Sequence, residues 1–200
     1  METFPIIISA PSGGGKTSIV NRLLNDGTLS RVITATTRAP RQGEIDGKDY
    51  LFWSVKKFEN AINKNQMAEW AKVHVNYYGV PKSSLNKLIK AGKYPVLVID
   101  VQGAKTVKKL YKEAVTIFIT PPDFSELKKR IAARNDGTTD IKVRLESARK
   151  ELKRIKFYDY LVINDVFEQA VEDCRAIIRA ETKKVKRQAK FINKINKAGD

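Results

Sequence analysis

The chain has 200 residues, 42% of them hydrophobic, and this length and composition are typical of one folded domain rather than of a disordered protein. No apolar run approaches the roughly 18 residues that a membrane-spanning helix needs, and the N-terminus lacks the basic and apolar regions of a secretory signal. The single cysteine, Cys174, lies among apolar residues at helical spacing, which favours a buried thiol in a reducing compartment. We therefore expect a cytoplasmic protein.

The chain is strongly basic, with 38 Lys and Arg residues against 22 Asp and Glu residues and a formal net charge of +16. Such an excess favours binding to polyanions, a class that includes nucleic acids, acidic membranes and nucleotides, so the charge alone does not identify a ligand. The C-terminal part carries seven basic residues between positions 183 and 197 without an acid among them. We predict a basic helical tail over residues 183–200, solvated in preference to serving as an RNA-binding arm.

Short apolar segments alternate with helical patterns along the chain. Apolar runs at residues 4–9, 95–100, 114–120 and 160–164 predict buried parallel strands. Apolar residues at helical spacing predict helices near 16–24, 83–92, 103–112, 123–134, 140–156 and 166–190. Residues 32–81 hold shorter aromatic and β-branched pieces around a helix near 55–64, which predicts a small mixed insertion. The alternation indicates a three-layer α/β fold with helices flanking a parallel sheet.

A glycine-rich segment follows the first predicted strand and opens the first predicted helix. Residues 10–17 read Ala-Pro-Ser-Gly-Gly-Gly-Lys-Thr, which matches the Walker A pattern except that Ala10 replaces its first glycine. Glycines let backbone N–H groups turn toward anionic oxygens, and the following helix adds the positive end of its dipole. The segment therefore predicts an ATP phosphate site formed by Ser12, Gly13, Gly14, Gly15, Lys16 and Thr17.

Three side chains near this loop suit the chemistry of ATP and Mg²⁺. Lys16 is placed to reach the β- and γ-phosphates, and the Thr17 hydroxyl is a candidate ligand for Mg²⁺. Asp100, at the end of a predicted strand, is the second candidate metal ligand, with a helix cap as the alternative. Mg²⁺ bound with ATP is the expected cofactor.

A second phosphate site is predicted between residues 34 and 44, where two arginines stand three positions apart beside hydroxyls and a turn. The guanidinium groups of Arg38 and Arg41 can bind one phosphate through paired hydrogen bonds, and a nearby Tyr hydroxyl can complete its shell. The chain thus has two predicted sites for phosphorylated ligands.

Six segments in order resemble the guanylate kinases. They are residues 9–17, 36–41, 47–50, 76–79, 99–103 and 163–165. The resemblance runs from Ile6 to Glu181 and implies phosphorylation of GMP, and of dGMP, by ATP. It also implies a single domain that has its core in residues 1–32, 82–123 and 154–182, a GMP-binding insertion over 33–81 and a helical lid over 124–153.

The resemblance implies a role for each matching residue. The GMP phosphate is expected at Thr34, Arg38, Arg41, Tyr50 and Tyr78. Glu69 and Asp100 are expected to face the guanine, whose adjacent N1–H and N2–H₂ donors suit a carboxylate, whereas adenine has no such pair. The lid arginines are Arg130, Arg134 and Arg144, which join Lys16, Arg38 and Arg41 as the expected catalytic set. Arg130 and Asn164 are also expected near ATP.

Val80 and Val98 depart from the family pattern. A Ser or Thr usually follows Tyr-Tyr-Gly and its hydroxyl helps to bind guanine, whereas Val80 cannot make that hydrogen bond. An acid commonly stands at the position of Val98, and the segment between Arg134 and Arg144 is one residue shorter than usual. We expect weaker GMP binding with the preference for guanine retained.

Three alternatives stay open from the residues alone. One is a P-loop kinase with another acceptor, such as AMP, dGMP or a phosphorylated sugar. Another is a guanylate-kinase-like module that binds phosphopeptides without chemistry, against which the intact glycines, Lys16 and Thr17 argue. The third is a nucleic-acid-binding protein, for which the sequence offers charge but no recognition motif. We expect ATP and GMP as partners, no required nucleic acid or membrane, and a monomer or homodimer.

Overall fold

Five parallel strands form the main sheet of the protein, whose computed structural model describes residues 3–25, 27–133 and 141–197. The strands are β1 (Ile6–Ser9), β2 (Leu29–Arg31), β7 (Tyr94–Val98), β8 (Val115–Thr120) and β9 (Tyr160–Ile163). Their order is β2-β7-β1-β8-β9, and every neighbouring pair is parallel. The strand β1 therefore lies at the centre, paired on both sides.

Alternate residues of β1 point to two different hydrophobic cores. Ile6 and Ile8 belong to the core formed with α1 (Lys16–Leu24) and α7 (Phe167–Lys183), and this core also buries Cys174. Ile7 belongs to the core on the opposite face, formed with α3 (Lys82–Lys90) and α4 (Val101–Leu110). The period of two along a strand explains this division. The predicted three-layer fold is confirmed.

A second sheet stands within residues 35–81 and has four short strands in the order β4-β3-β6-β5. The strands are β3 (Ala35–Thr36), β4 (Leu51–Phe52), β5 (Met67–Val73) and β6 (Asn76–Pro81), with α2 (Val55–Asn63) beside them. The β3–β4 pair is parallel, whereas β6 runs antiparallel to both β3 and β5. A small core of Ala35, Phe58, Ala61 and Met67 supports this mixed sheet, as the sequence predicted.

Two helices occupy the segment that the sequence predicted as a helical lid. They are α5 (Phe124–Ala133) and α6 (Ile141–Leu152), which pack together through Leu127, Ile131 and Ala148. Among the described helices, none combines the length and the apolar composition needed to cross a bilayer.

The single helix predicted over residues 166–190 is wrong. The helix α7 ends at Lys183, a 3₁₀ turn covers Val185–Arg187, and α8 (Ala189–Lys197) follows. The chain turns because Arg187 folds back onto the core, where it is 5% exposed, donates to Glu181 Oε2 at 3.0 Å and lies 3.7 Å from the Phe4 ring centroid. The prediction of a solvated tail therefore fails at Arg187.

Candidate active site

The glycine-rich loop between β1 and α1 is shaped by its backbone. Gly13 and Gly15 have φ values of 82° and 86°, in the left-handed region that favours glycine. The Gly14 N–H donates to the Pro11 carbonyl at 2.9 Å, and a Cβ on Gly14 would lie 2.8 Å from the Cβ of Ala10. The three glycines thus allow a turn tighter than side chains would permit.

Asn164, just after β9, supports this loop from behind. The residue is buried, and its Nδ2 donates to the Gly14 carbonyl at 3.0 Å, while its backbone N–H donates to the Thr120 carbonyl at 2.7 Å. A Cβ on Gly15 would lie only 2.2 Å from the same Nδ2 atom. The sequence placed Asn164 near ATP, and the structure places it against the loop backbone.

The loop encloses a cavity of about 250 Å³ that is lined by residues 10–17 together with Asp100 and Glu151. Burial lowers the pKa of the Lys16 ammonium, and the carboxylates of Glu151 and Asp100 oppose that shift, Glu151 more strongly. A desolvated cation in a cavity lined by backbone N–H groups gains most from a multiply charged anion. The cavity is therefore suited to phosphate.

Asp100 lines the cavity and also caps a helix. The predicted strand to residue 100 was too long, because β7 ends at Val98 and Asp100 is the N-cap of α4. Its Oδ1 accepts from the Gly103 N–H at 2.8 Å, which satisfies one of the free donors at the helix start. The two alternatives are thus compatible, since the capping carboxylate still faces the phosphate cavity.

The lid helices bring two of the three predicted arginines to the loop. Arg144 in α6 donates from Nη2 and Nε to the Ser12 hydroxyl, at 2.9 and 3.2 Å. Arg130 in α5 donates from Nη1 to the Asn164 carbonyl at 3.0 Å. Arg134 lies outside the described residues.

The predicted acceptor residues cluster on the four-stranded sheet. The Arg38 guanidinium lies 5.5 Å from the Tyr50 ring centroid, and the rings of Tyr50 and Tyr78 are 6.3 Å apart. Hydrogen bonds with Glu44 and Tyr78 raise the pKa of Arg38. Arg41 is exposed and follows Arg38 by three residues, so two arginines and two tyrosines belong to this region.

Thr34 precedes β3 at the edge of this region. It is half-buried, and its carbonyl accepts from the Leu51 N–H at 2.9 Å, which joins the segment to β4. Its backbone is therefore held in place.

Glu69 brings a carboxylate from β5 to the start of α4. A Cβ on Gly103 would lie 3.1 Å from Glu69 Oε2, so this glycine admits the carboxylate. Burial and, to a smaller extent, the Asp100 carboxylate together raise the pKa of Glu69 to about 7, against a hydrogen bond from the Val80 amide. The two carboxylates predicted to face guanine are thus electrostatically coupled.

Most of the chain matches a family of known proteins. The family model described as Guanylate kinase matches residues 2–181. The chain belongs to the guanylate kinase family. The resemblance inferred from the six segments is therefore confirmed.

Individual guanylate kinases align with nearly the whole chain. One from Clostridium tetani is 45% identical over 183 residues, which cover 91% of this chain and 88% of that protein. One from Caldanaerobacter subterraneus is 45% identical over 192 residues, covering 95% and 93%. A crystal structure of guanylate kinase from Anaplasma phagocytophilum matches with a TM-score of 0.74 at 33% identity, covering 92% of this chain and 89% of that one.

Both departures from the guanylate kinase pattern are apolar and packed. Val80 is 1% exposed and belongs to the core that contains Ile7 and Leu97. Val98 is partly buried against the opposite core. Val80 pairs with Glu69 in the β5–β6 register, so its side chain adds no polar group beside Glu69.

Two carboxylates of the candidate site were not predicted from the sequence. Glu44 accepts from Arg38 Nη2 at 2.8 and 2.9 Å and from the Arg41 N–H at 2.7 Å. Glu151 lines the phosphate cavity from the lid. For Glu44 a signal existed, because an acid three residues after Arg41 suits a turn, whereas nothing local links Glu151 to Lys16.

Proposed function

We propose that the protein is an ATP:GMP phosphotransferase of purine nucleotide metabolism. The carrying observation is the position of Asp100, which lines the phosphate cavity and is electrostatically coupled to Glu69 on the acceptor sheet. A triphosphate in the cavity and a base at Glu69 are therefore neighbours, as phosphoryl transfer requires.

The ATP half is assigned to the glycine-rich loop and the groups around it. Its members are Ser12, Gly13, Gly14, Gly15, Lys16, Thr17, Arg130 and Asn164. Mg²⁺ fits this site, because Thr17 and Asp100 supply a hydroxyl and carboxylate oxygens to one cavity, the hard donors that this ion prefers. When bound, Mg²⁺ neutralises part of the phosphate charge.

The acceptor half is assigned to the four-stranded sheet. Thr34, Arg38, Arg41, Tyr50 and Tyr78 are proposed to hold the phosphate of GMP. Glu69 and Asp100 are proposed to accept the hydrogen bonds of the guanine edge. We include dGMP as an acceptor, because these contacts involve the phosphate and the base rather than the ribose.

The chemistry then consists of positioning and charge neutralisation. Arg38 and Arg41 direct an oxygen of the acceptor phosphate toward the γ-phosphorus, while Lys16 and the loop amides stabilise the transferring group. The lid arginines Arg130, Arg134 and Arg144 approach the same group and exclude water, which prevents hydrolysis of ATP.

The proposed setting of the protein is the cytoplasm. The cytoplasm suits the buried free thiol of Cys174. The assembly is proposed as a monomer or homodimer. Nucleic acid is not required for the reaction, although the basic tail offers lysines to polyanions.

The decisive experiment is a coupled ADP-release assay with ATP and Mg²⁺, in which GMP, dGMP, AMP, CMP and UMP are compared as acceptors. We expect strong turnover with GMP and dGMP. If only another acceptor supported turnover, the protein would still be a nucleotide-dependent kinase, but the assignment of Glu69 and Asp100 to guanine would be wrong. A folded protein that binds ATP but acts on none of them would instead favour a phosphopeptide-binding module.

A further inference from the structure

One face of the lid helix α6 meets the phosphate loop with charges of opposite sign. Arg144 and Glu151 are seven residues apart, which places them on the same side of a helix two turns apart. Ala148 lies between them and is fully buried against Leu127 and Ile131 of α5. The packing of Ala148 holds this charged face against the loop.

The two ends of this face contact different parts of the loop. At one end, Arg144 donates to the Ser12 hydroxyl at 2.9 Å. At the other end, Glu151 lines the same cavity of about 250 Å³ as Lys16. The Ser147 hydroxyl, one turn earlier, donates to Glu151 Oε1 at 3.1 Å and so helps to fix the carboxylate there.

The carboxylate and the ammonium influence each other. Of the charged groups that act on Lys16, Glu151 has the largest effect and favours the charged ammonium. Burial raises the pKa of Glu151, and the hydrogen bond from Ser147 and then the charge of Lys16 oppose that shift. The carboxylate is thus partly out of water in the cavity that it shares with Lys16. Glu151 thus supplies the negative charge that nucleotide phosphates would otherwise supply.

We propose that Glu151 is a competing anion for Lys16, neutralising it until the phosphates of ATP enter the cavity and displace the carboxylate. This inference rests on the ATP site proposed above. Phosphate attracts Arg144 and repels Glu151, so the two ends of one helix face respond to the nucleotide in opposite directions. Glu151 therefore weakens ATP binding while it satisfies the empty loop.

The test compares Glu151→Gln with Glu146→Gln by calorimetric titration of ATP without GMP. Glu146 is an exposed residue of the same helix, so its variant makes the same change of charge away from the cavity. We expect Glu151→Gln to lower the Kd for ATP about tenfold, because it removes a like charge beside the phosphates. Glu146→Gln should change the Kd by less than about twofold, since exposed charges are screened.

Two further ligands show which part of ATP is involved. Inorganic triphosphate should reproduce the gain in Glu151→Gln, whereas adenosine should bind both proteins equally. As a second variant, Ser147→Ala keeps the charge but removes the hydrogen bond to Glu151, and should lower the Kd for ATP about two- to threefold.

Unchanged or weaker ATP binding in both Glu151→Gln and Ser147→Ala would overturn the proposal that Glu151 competes with phosphate for Lys16. If the wild type bound ATP normally in that case, the proposed function would still stand. A wild type that bound no ATP would overturn both proposals.

Discussion

The phosphate loop follows β1, which is central in the five-stranded sheet and buried throughout, whereas the residues proposed to bind the acceptor lie at a four-stranded sheet with strands of two to seven residues. The loop presents mainly backbone groups, held from behind by Asn164. The acceptor sheet presents side chains held by one another, such as Arg38 by Glu44. Backbone groups recognise phosphate in general, and side chains distinguish one acceptor from another. Substitutions in the loop should therefore affect ATP, and substitutions at the four-stranded sheet should affect the acceptor.

The largest effect is expected from Lys16→Ala, which removes the cation of the loop. We expect kcat to fall by about 10³-fold or more, since a charge aimed at the transferring phosphate is lost. The melting temperature should change only slightly, because the cost of burying the Lys16 ammonium is removed together with its attraction to Glu151 and Asp100. Initial rates and thermal unfolding measure the two effects. Lys128→Ala, an exposed change in α5, is the control, and wild-type turnover in Lys16→Ala would reject the loop assignment.

On the acceptor side, Arg41→Ala should raise the KM for GMP by roughly 10- to 100-fold, the usual worth of a charge-assisted hydrogen bond. The KM for ATP should change by less than about threefold, because the loop is unaltered. Bisubstrate kinetics separate the two constants. Arg179→Ala in α7, whose side chain is 70% exposed, is the matched control. If Arg41→Ala changed only the KM for ATP, Arg41 would belong to the ATP site and its assignment to the acceptor site would be wrong.

Asn164→Ala tests the support behind the loop. Loss of the bond to the Gly14 carbonyl leaves a buried acceptor without its partner, which costs about 1–3 kcal/mol of unfolding free energy. We expect the KM for ATP to rise about tenfold while the KM for GMP stays near that of the wild type. Chemical denaturation and initial rates measure the two changes. Asn60→Ala, which removes an exposed amide in α2, should alter neither quantity. An unchanged KM for ATP in Asn164→Ala would show that the loop holds its shape without Asn164.

Glu69 should make the KM for GMP depend on pH. Its pKa of about 7 means that the ionised carboxylate, which accepts from guanine, grows about tenfold between pH 6 and pH 8, and the KM for GMP should fall accordingly. The phosphate of GMP titrates near pH 6 as well, so Glu69→Gln isolates the contribution of the carboxylate.

The same group affects stability with a sign that follows from its raised pKa. The folded protein binds a proton at Glu69 that the unfolded chain releases near pH 4.5, so the free energy of unfolding falls as pH rises from there through about 7. The Asp100 carboxylate strengthens this effect. The free energy of unfolding of the wild type, measured relative to that of Glu69→Gln, should therefore be lower at pH 8 than at pH 5. If the difference in unfolding free energy between the two proteins did not change with pH, Glu69 would not be buried with a raised pKa.

The smallest effect is expected from Val80→Thr, which restores the hydroxyl usual in the family at nearly the same volume. We expect the KM for GMP to fall about three- to tenfold through one added hydrogen bond. Val80→Ala serves as the control, because it changes the packing of this buried position without adding a hydroxyl. An unchanged KM for GMP in Val80→Thr would mean that the guanine is recognised without that group.

Local patterns predicted those features whose causes are local. The apolar run of β1, the glycines after it and the spacing of Ile19, Val20 and Leu23 in α1 are contiguous in the chain. The structure has α1 at the predicted residues and β1 over the last four residues of the predicted run. The family resemblance supplied the acceptor residues, of which Arg38, Tyr50 and Tyr78 lie together. Their roles stay predictions.

Long-range contacts explain what the sequence could not predict. The carboxylate of Glu151 is 135 positions from Lys16, and only the packing of the lid brings them into one cavity. A helical pattern continued past residue 183 because periodicity does not register a buried ion pair such as that of Arg187 with Glu181. The cap formed by Asp100 was predicted only as an alternative, since a strand end and a helix start look alike there.

The docking of Arg187 also bears on where the folding unit ends. The family match stops at residue 181, yet Arg187 lies beyond it, pairs with the buried Glu181 and covers the Phe4 ring near the other end of the chain. A fragment cut at the family boundary would lose this partner of a buried carboxylate. The end of the family match therefore falls short of the end of the packed unit, and a fusion tag belongs after α8 rather than after α7.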